Sequence, residues 1–175
     1  MRATLFHVAT TSPETPRSPL SQLPEELVGS SAFLLKRLGY AAKARAIGAY
    51  EGTGLNPYHH AVLAALQEGS RETQGAIADA LGYDRGQLVG LLDELEERGL
   101  IERRRDPSDR RRHLVKLTPE GKRTLNRFRS IAKSVDDEFF APLDAEQREA
   151  LHALLLQLAS HHDPRYATAD RNEQS

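Results

Sequence analysis

TQGAIADALGYDRGQLVGLLDELEERGLIERRRDPSDRRRHLVKLTP, residues 73–119, holds the pattern that decides the fold. Thr73 is placed to cap a short helix over QGAIADAL, which stops at Gly82. Asp84 opens the next helix, with Gln87 three residues on in a capping-box pattern. Leu88, Leu91, Leu92 and Leu95 then recur at helical spacing as one apolar stripe, and Gly99 ends the run. Two short β-like pieces follow, LIERR and HLVKL, on either side of RDPSDRR.

Working outward, Pro57 starts another helix, with Val62, Leu63 and Leu66 on one side. Three short helices and a hairpin, in that order, predict a winged helix-turn-helix. Before it lies one long helix over roughly residues 25–50, with Leu27, Leu34, Leu38, Ala41 and Ala42 on one side. After it, Thr118–Pro119 reads as N-cap and first helical residue of a helix to about residue 138. Asp144, with Gln147 three on, opens a last helix in which Leu151, Leu154, Leu155 and Leu158 share a face. The expected fold class is mostly α with a small β-hairpin wing. A winged helix-turn-helix DNA-binding domain (55–118) joins a dimerisation region made of an N-terminal helix (23–54) and C-terminal helices (119–163). Residues 1–22, with Pro13, Pro16 and Pro19, read as a disordered or loosely docked arm, and residues 164–175 as a frayed polar tail. The terminal leucine stripes need a partner surface, which a twofold dimer supplies.

The chain has 175 residues and a formal charge of −1, yet residues 98–112 contain seven arginines and three acids, a local +4. Charge focused on a hairpin tip makes a phosphate-binding site plausible without a basic protein overall. Asp106 and Asp109 can brace the turn while the arginines face a phosphate ridge or a minor groove. In this arrangement the second helix of the pair enters the major groove. Its candidate reading face is Asp84, Arg85, Gly86, Gln87, Val89 and Gly90. Arg85 can read guanine bidentately and Gln87 can read adenine. Thr73 and Gln74 lie at the N-terminus of the preceding helix. The wing candidates are Arg103, Arg104, Arg105, Asp109, Arg110, Arg111 and Arg112.

The run LLDELEERGLIERRRDPSDRRRHLVKLTPEGKRTL, residues 91–125, resembles the signature of the MarR family of transcriptional regulators. The match includes Gly99–Leu100–Ile101, Arg103, the Asp106–Pro107–x–Asp109–Arg110–Arg111 wing, Leu117–Thr118 and Gly121, and extends over roughly residues 30–160. The resemblance implies a homodimer on a pseudo-palindromic duplex. It also implies a repressor that releases DNA on binding a small, frequently aromatic or phenolic ligand between the two regions. Asp109 and Arg111 become the wing's key pair, with Arg111 matching the minor-groove arginine. Read from the residues alone, Arg110 and Arg111 remain equal candidates. Gly86, Val89, Gly90 and His60 depart from the residues common in relatives. Tyr40, Tyr50, Tyr58, His59 and His60 are candidate pocket residues by position.

The chain has no cysteine, which excludes disulfides and zinc–thiolate sites. No apolar run reaches the ~18 residues of a membrane span. No secretory signal stands at the N-terminus. A cytoplasmic location is therefore expected. No Gly-rich phosphate loop, H-E-x-x-H or local nucleophile signature is present, so the chain is read as a non-enzyme without a cofactor. Two alternatives share the fold. One is a winged-helix module turned to protein partners, and the other is a metal-responsive regulator using His59 or His60. No metal residue is assigned.

Overall fold

A computed structural model describes residues 22–68, 73–107 and 113–166. The chain divides into two compact units, residues 1–38 and 39–175. In the first, α1 (Glu25–Val28) is separate from α2 (Ser31–Tyr50), whose first two turns belong to this unit. The single helix expected over residues 25–50 is thus broken at Gly29–Ser30. The cause is local. The Phe33 N–H donates to Ser30 Oγ at 3.3 Å, so Ser30 serves the start of a new helix rather than the middle of an old one. Leu34, Leu35 and Leu38 are exposed.

The second unit carries the remainder of α2, then α3 (Pro57–Gln67), α4 (Gln74–Leu81), α5 (Arg85–Glu97), β1 (Ile101–Arg105), β2 (His113–Leu117), α6 (Pro119–Phe139) and α7 (Ala145–His162). The two strands pair antiparallel, with Ile101 opposite Leu117, Arg103 opposite Val115 and Arg105 opposite His113. A bridge from Thr73 to Leu114 ties the start of α4 to the hairpin. This is the mostly helical, winged arrangement that the order of elements predicted.

The ends of the helices follow from the residues at them. Thr73 accepts from Ala76 N–H (3.2 Å), Thr118 from Gly121 N–H (3.0 Å) and Asp144 from Gln147 N–H (2.9 Å). At Asp144 the box closes, with Gln147 Oε1 accepting from Asp144 N–H. At Asp84 only half forms. Asp84 accepts from Gln87 N–H at 2.9 Å, but the Gln87 side chain gives no return bond. Gly82, at φ 65°, turns the chain between α4 and α5 through the left-handed region, where a Cβ is strained.

One core organises the unit. Val62, Leu63 and Leu66 of α3 meet Ile77 and Ala78 of α4, Leu88, Leu91, Leu92 and Leu95 of α5, Ile101 and Val115 of the hairpin, and Leu125 and Phe128 of α6. Each fully buried leucine contributes ~2 kcal/mol by removal from water. The leucine stripe of α5 is therefore spent inward, and its opposite side is free to face a ligand. Along α7, by contrast, Leu154 and Leu158 stay exposed.

Of the polar tail expected from residue 164 onward, only residues 164–166 are described; residues 167–175 lie outside the described residues. Residues 164–166 form a helical turn in which Arg165 pairs with Asp163. Its Nη1 also donates to the Asp79 carbonyl at 3.4 Å. A carboxylate and a backbone carbonyl hold residues that composition alone read as loose.

Candidate nucleic-acid interface

The outward side of the helix-turn-helix is an open groove lined by Thr73, Gln74, Gly75, Ala76 and Asp79 of α4 and its cap, Arg85, Leu88 and Val89 of α5, and His113 of β2. The caps explain the placement. Thr73 and Asp84 each start a helix at the same edge, so the first turns of α4 and α5 open onto one surface. Arg85 and Gln87 are exposed, and among the described residues no bond or ion pair engages Arg85. Val89 is 42% exposed, a large apolar side chain on an otherwise polar face. A Cβ added at Gly75 or Gly90 would meet nothing within 4 Å, and one at Gly86 would meet only Asp84 Oδ1 at 3.2 Å. Among the described residues no contact requires a glycine at Gly75 or Gly90, whereas a Cβ at Gly86 would press on the Asp84 cap. Groove-facing amide, guanidinium and methyl groups of this kind suit base edges in a major groove.

His113 was not among the residues picked out from sequence, yet it lines the same groove as Gln74, Arg85 and Val89. Its position opposite Arg105 in the hairpin register brings it there, a pairing that no local pattern announces.

The wing candidates separate. Arg104 is 77% exposed and pairs with Glu102 on its own strand at 2.8 Å. Such surface pairs are worth ~0–1 kcal/mol and yield readily to a phosphate. Arg105 is exposed. Arg103 is instead engaged inside the protein, its Nη1 on Asp93 Oδ1 at 2.7 Å and its Nε on Glu96 Oε2 at 2.8 Å. Those bonds hold the Glu96 carboxyl below the usual carboxylate range. Of the wing candidates, Arg103 is thus the one held by acids of α5. Asp109, Arg110, Arg111 and Arg112 lie outside the described residues.

The five aromatic and histidine candidates for a ligand pocket do not form one cluster. Tyr40 is exposed. Tyr58 packs edge-on to Tyr83, with ring centres 5.8 Å apart. Only Tyr50 and His60 meet, with Oη 2.7 Å from Nδ1 and Phe128 against both rings. Burial raises the pKa of Tyr50 and, with the Arg129 charge nearby, lowers that of His60. A separate open groove lies one turn back along α2, lined by Arg45, Ala49, Ile131, Ser134, Val135 and Glu138.

His59 is a structural residue. At the third position of α3 its Nδ1 accepts from Asn56 N–H (3.1 Å), while Asn56 Oδ1 accepts from Tyr58 N–H and His59 N–H. The acceptor role of Nδ1 places the proton of the neutral ring on Nε2. Nε2 lies 3.1 Å from Glu94 Oε2 but out of hydrogen-bond alignment, so it is buried without a bonded partner. Burial lowers the His59 pKa. Glu94 opposes that shift, and Arg98 adds to it. Among the described residues, no group of three or more His, Cys, Asp or Glu side chains could hold a metal ion. No described helix is long and apolar enough to cross a membrane.

Both histidines thus have folded pKa values below the ordinary 6.5. Below 6.5 the unfolded chain binds more protons, so stability present above that pH falls as pH drops through the folded values. The affected carboxylates, Glu96, Asp137 and Asp163, are shifted down from 4.5, 3.8 and 3.8, so their losses come at lower pH. We expect the thermal midpoint to fall between about pH 6.5 and pH 5. His59→Gln keeps a side-chain acceptor for Asn56 N–H without a titrating ring, and its midpoint should fall less over that window. An equal fall in both proteins would exclude His59 as a source.

Known proteins share this geometry. A sequence profile described as MarR family matches residues 53–112. The transcriptional regulator HosA of Escherichia coli O111:H- is 34% identical over 106 residues, spanning 61% of this chain and 78% of HosA. Among solved structures, the transcriptional repressor CouR bound to a 23-mer DNA duplex superposes with a TM-score of 0.72 at 33% identity, over 79% of this chain and 99% of CouR. CouR from Rhodococcus jostii RHA1 bound to p-coumaroyl-CoA superposes at 0.67 with 29% identity, over 79% of this chain and 95% of that one.

Proposed function

This chain belongs to the MarR family of DNA-binding transcriptional regulators, and from that premise we propose that it works as a homodimeric repressor released from a pseudo-palindromic duplex by a small ligand. The observation that carries the reading is the open helix-turn-helix groove, in which an uncommitted Arg85 stands beside Gln74, Val89 and His113. In a dimer, two α5 helices enter successive major grooves about one helical turn apart, ~34–36 Å. Arg104, Arg105 and the arginines at residues 110–112 supply phosphate contacts. Each subunit leaves Leu34, Leu35 and Leu38 of α2, and Leu154 and Leu158 of α7, for a second copy to cover. Isologous burial of those leucines offsets the cost of association.

The ligand reading draws support from neighbours with a bound small molecule, CouR with p-coumaroyl-CoA among them. For this chain we place the ligand in the groove between α2 and α6. There Arg45, stacked 5.2 Å over Phe139, offers a cation beside the apolar walls of Ala49, Ile131 and Val135. With Glu138 also in the lining, the groove suits an aromatic ligand that carries both an acceptor for Arg45 and a donor for Glu138. Such a ligand releases DNA only if it binds the DNA-incompetent arrangement more tightly.

The test is titration of the full chain on the duplex upstream of its own gene, beside a scrambled duplex, over a range of salt. Selective binding whose log affinity falls with log salt, by ~0.9 for each phosphate engaged, is the expected result. In the same assay Arg85→Ala should cost ~1–3 kcal/mol on the preferred duplex and less on the scrambled one. Equal losses would reduce Arg85 to a phosphate contact. Weak, equal binding of the native chain to both duplexes would favour a winged-helix surface turned to protein partners.

A further inference from the structure

Arg103 lies in a wing strand of a DNA-binding fold, where an arginine is expected to meet phosphate. The structure points elsewhere. Asp93 and Glu96 are three residues apart on α5 and so share one side of the helix. Arg103, in the middle of β1, answers both. Nη1 meets Asp93 Oδ1 at 2.7 Å, Nε meets Glu96 Oε2 at 2.8 Å, Nη2 also pairs with Glu96 Oε2, and the Arg103 backbone N–H donates to Glu96 Oε1 at 3.1 Å. All three guanidinium nitrogens are committed, and the side chain is only 21% exposed. Two carboxylates and one guanidinium carry a net charge of −1. A phosphate approaching this trio meets repulsion and must displace two acids to reach the cation.

We propose that Arg103 is a positioning residue: with Asp93 and Glu96 it fixes the direction of the wing relative to the recognition helix. This rests on the reading of α5 and the hairpin as the DNA-binding surface. The leverage comes from spacing. β1 enters the core at Ile101, 2% exposed. Arg103 lies two residues further along, ~7 Å at strand rise. A strand held at one point can pivot, and one held at two has a set direction. β2 has its own anchors in buried Val115 and in the bridge from Leu114 to Thr73. Beyond Ile101, the Arg103 bonds to Asp93 and Glu96 tie β1 to α5.

The sign of one experiment separates a positioning residue from a DNA contact. Removing acids near DNA ordinarily tightens binding, because it removes repulsion and here also frees Arg103. A positioning role predicts the reverse. The full-length Asp93→Ala/Glu96→Ala variant is compared with the native chain on a duplex that the native chain selects from a random pool, by affinity, salt slope and hydroxyl-radical footprint. A thermal melt of each protein sets a temperature at which both are folded. The expected result is binding weaker by about tenfold or more, with a salt slope shallower by ~0.9 for each phosphate that the wing no longer reaches. Protection should disappear at the outer flanks and persist over the central major-groove positions. Tighter or unchanged binding would overturn the proposal. So would a uniform weakening of protection at all positions, which is what a general loss of fold produces. If the native chain selects no duplex, the regulator reading itself falls and takes this one with it.

Discussion

Gly121→Ala is expected to lower the thermal midpoint by roughly 6–12 °C, a cost of about 3 kcal/mol. Glycine within a helix is normally a weakness, and alanine there gains ~1 kcal/mol. The sign reverses at this position because α6 starts hard against the end of the preceding loop. Thr118 N–H donates to the Leu100 carbonyl at 3.1 Å, and Thr118 Oγ1 to the Gly99 carbonyl at 2.8 Å. Those bonds draw the first turn of α6 so close that a Cβ on Gly121 would stand 2.0 Å from the Leu100 oxygen. The obstacle is backbone, flanked by buried Leu100 and Ile101, and cannot swing aside as a side chain would. Gly90→Ala is the matched control. It lies within α5 with nothing inside 4 Å of its Cβ, so its midpoint should rise by roughly 2–4 °C. Two shifts of the same sign in a pair of melting curves would contradict the close approach at Gly121.

Phe128→Ala should cost ~3–5 kcal/mol, the usual range for deleting a buried phenyl group. Phe128 is 1% exposed, and its ring centre lies 5.0 Å from that of Tyr50 and 5.8 Å from that of His60. It is the point where α6 meets the end of α2 and the first turn of α3. The Tyr50 hydroxyl reaches the Phe128 carbonyl at 3.4 Å, and that carbonyl survives the substitution. The loss is therefore one of packing, and Phe128→Leu should recover a large part of it. Chemical denaturation reads both. A loss below ~1 kcal/mol for the alanine would mean that the site collapses without a cavity, against the burial of the Tyr50 and Phe128 rings.

Most elements were legible because their signals are local. Thr73, Asp84, Thr118 and Asp144 each cap the helix that their position predicts, and the leucine spacing of α5 announces its buried side. The misreadings have separate causes: a cap hidden inside a continuous helical pattern, an unusual residue type in a box, or a partner on another element. Ser30 looked like an interior helical residue until its bond to Phe33 N–H was seen. His59 closes a capping box at Asn56 in a place usually held by Glu or Gln, so the pattern hid behind the residue type. Arg103 read as one arginine among many. Its two acids, seven and ten residues back on α5, become neighbours only when the strand folds against the helix. Of the site, Gln74, Arg85 and Val89 were legible from element order, and His113 was not, because it arrives through strand register.

The empty space over Gly75 and Gly90 bears on how this protein can change over generations. The leucines that hold α5 in place occupy one side of the helix, and the residues proposed to read DNA occupy the other. A new side chain on the groove side therefore meets no packing constraint and, in place of glycine, gains helix propensity. If this surface reads DNA as proposed, retargeting to a different sequence can proceed by single substitutions at Gly75 or Gly90, where an added Cβ meets nothing among the described residues. Drift in specificity is then decoupled from survival of the fold, and closely related chains with the same core are expected to diverge first at these two positions.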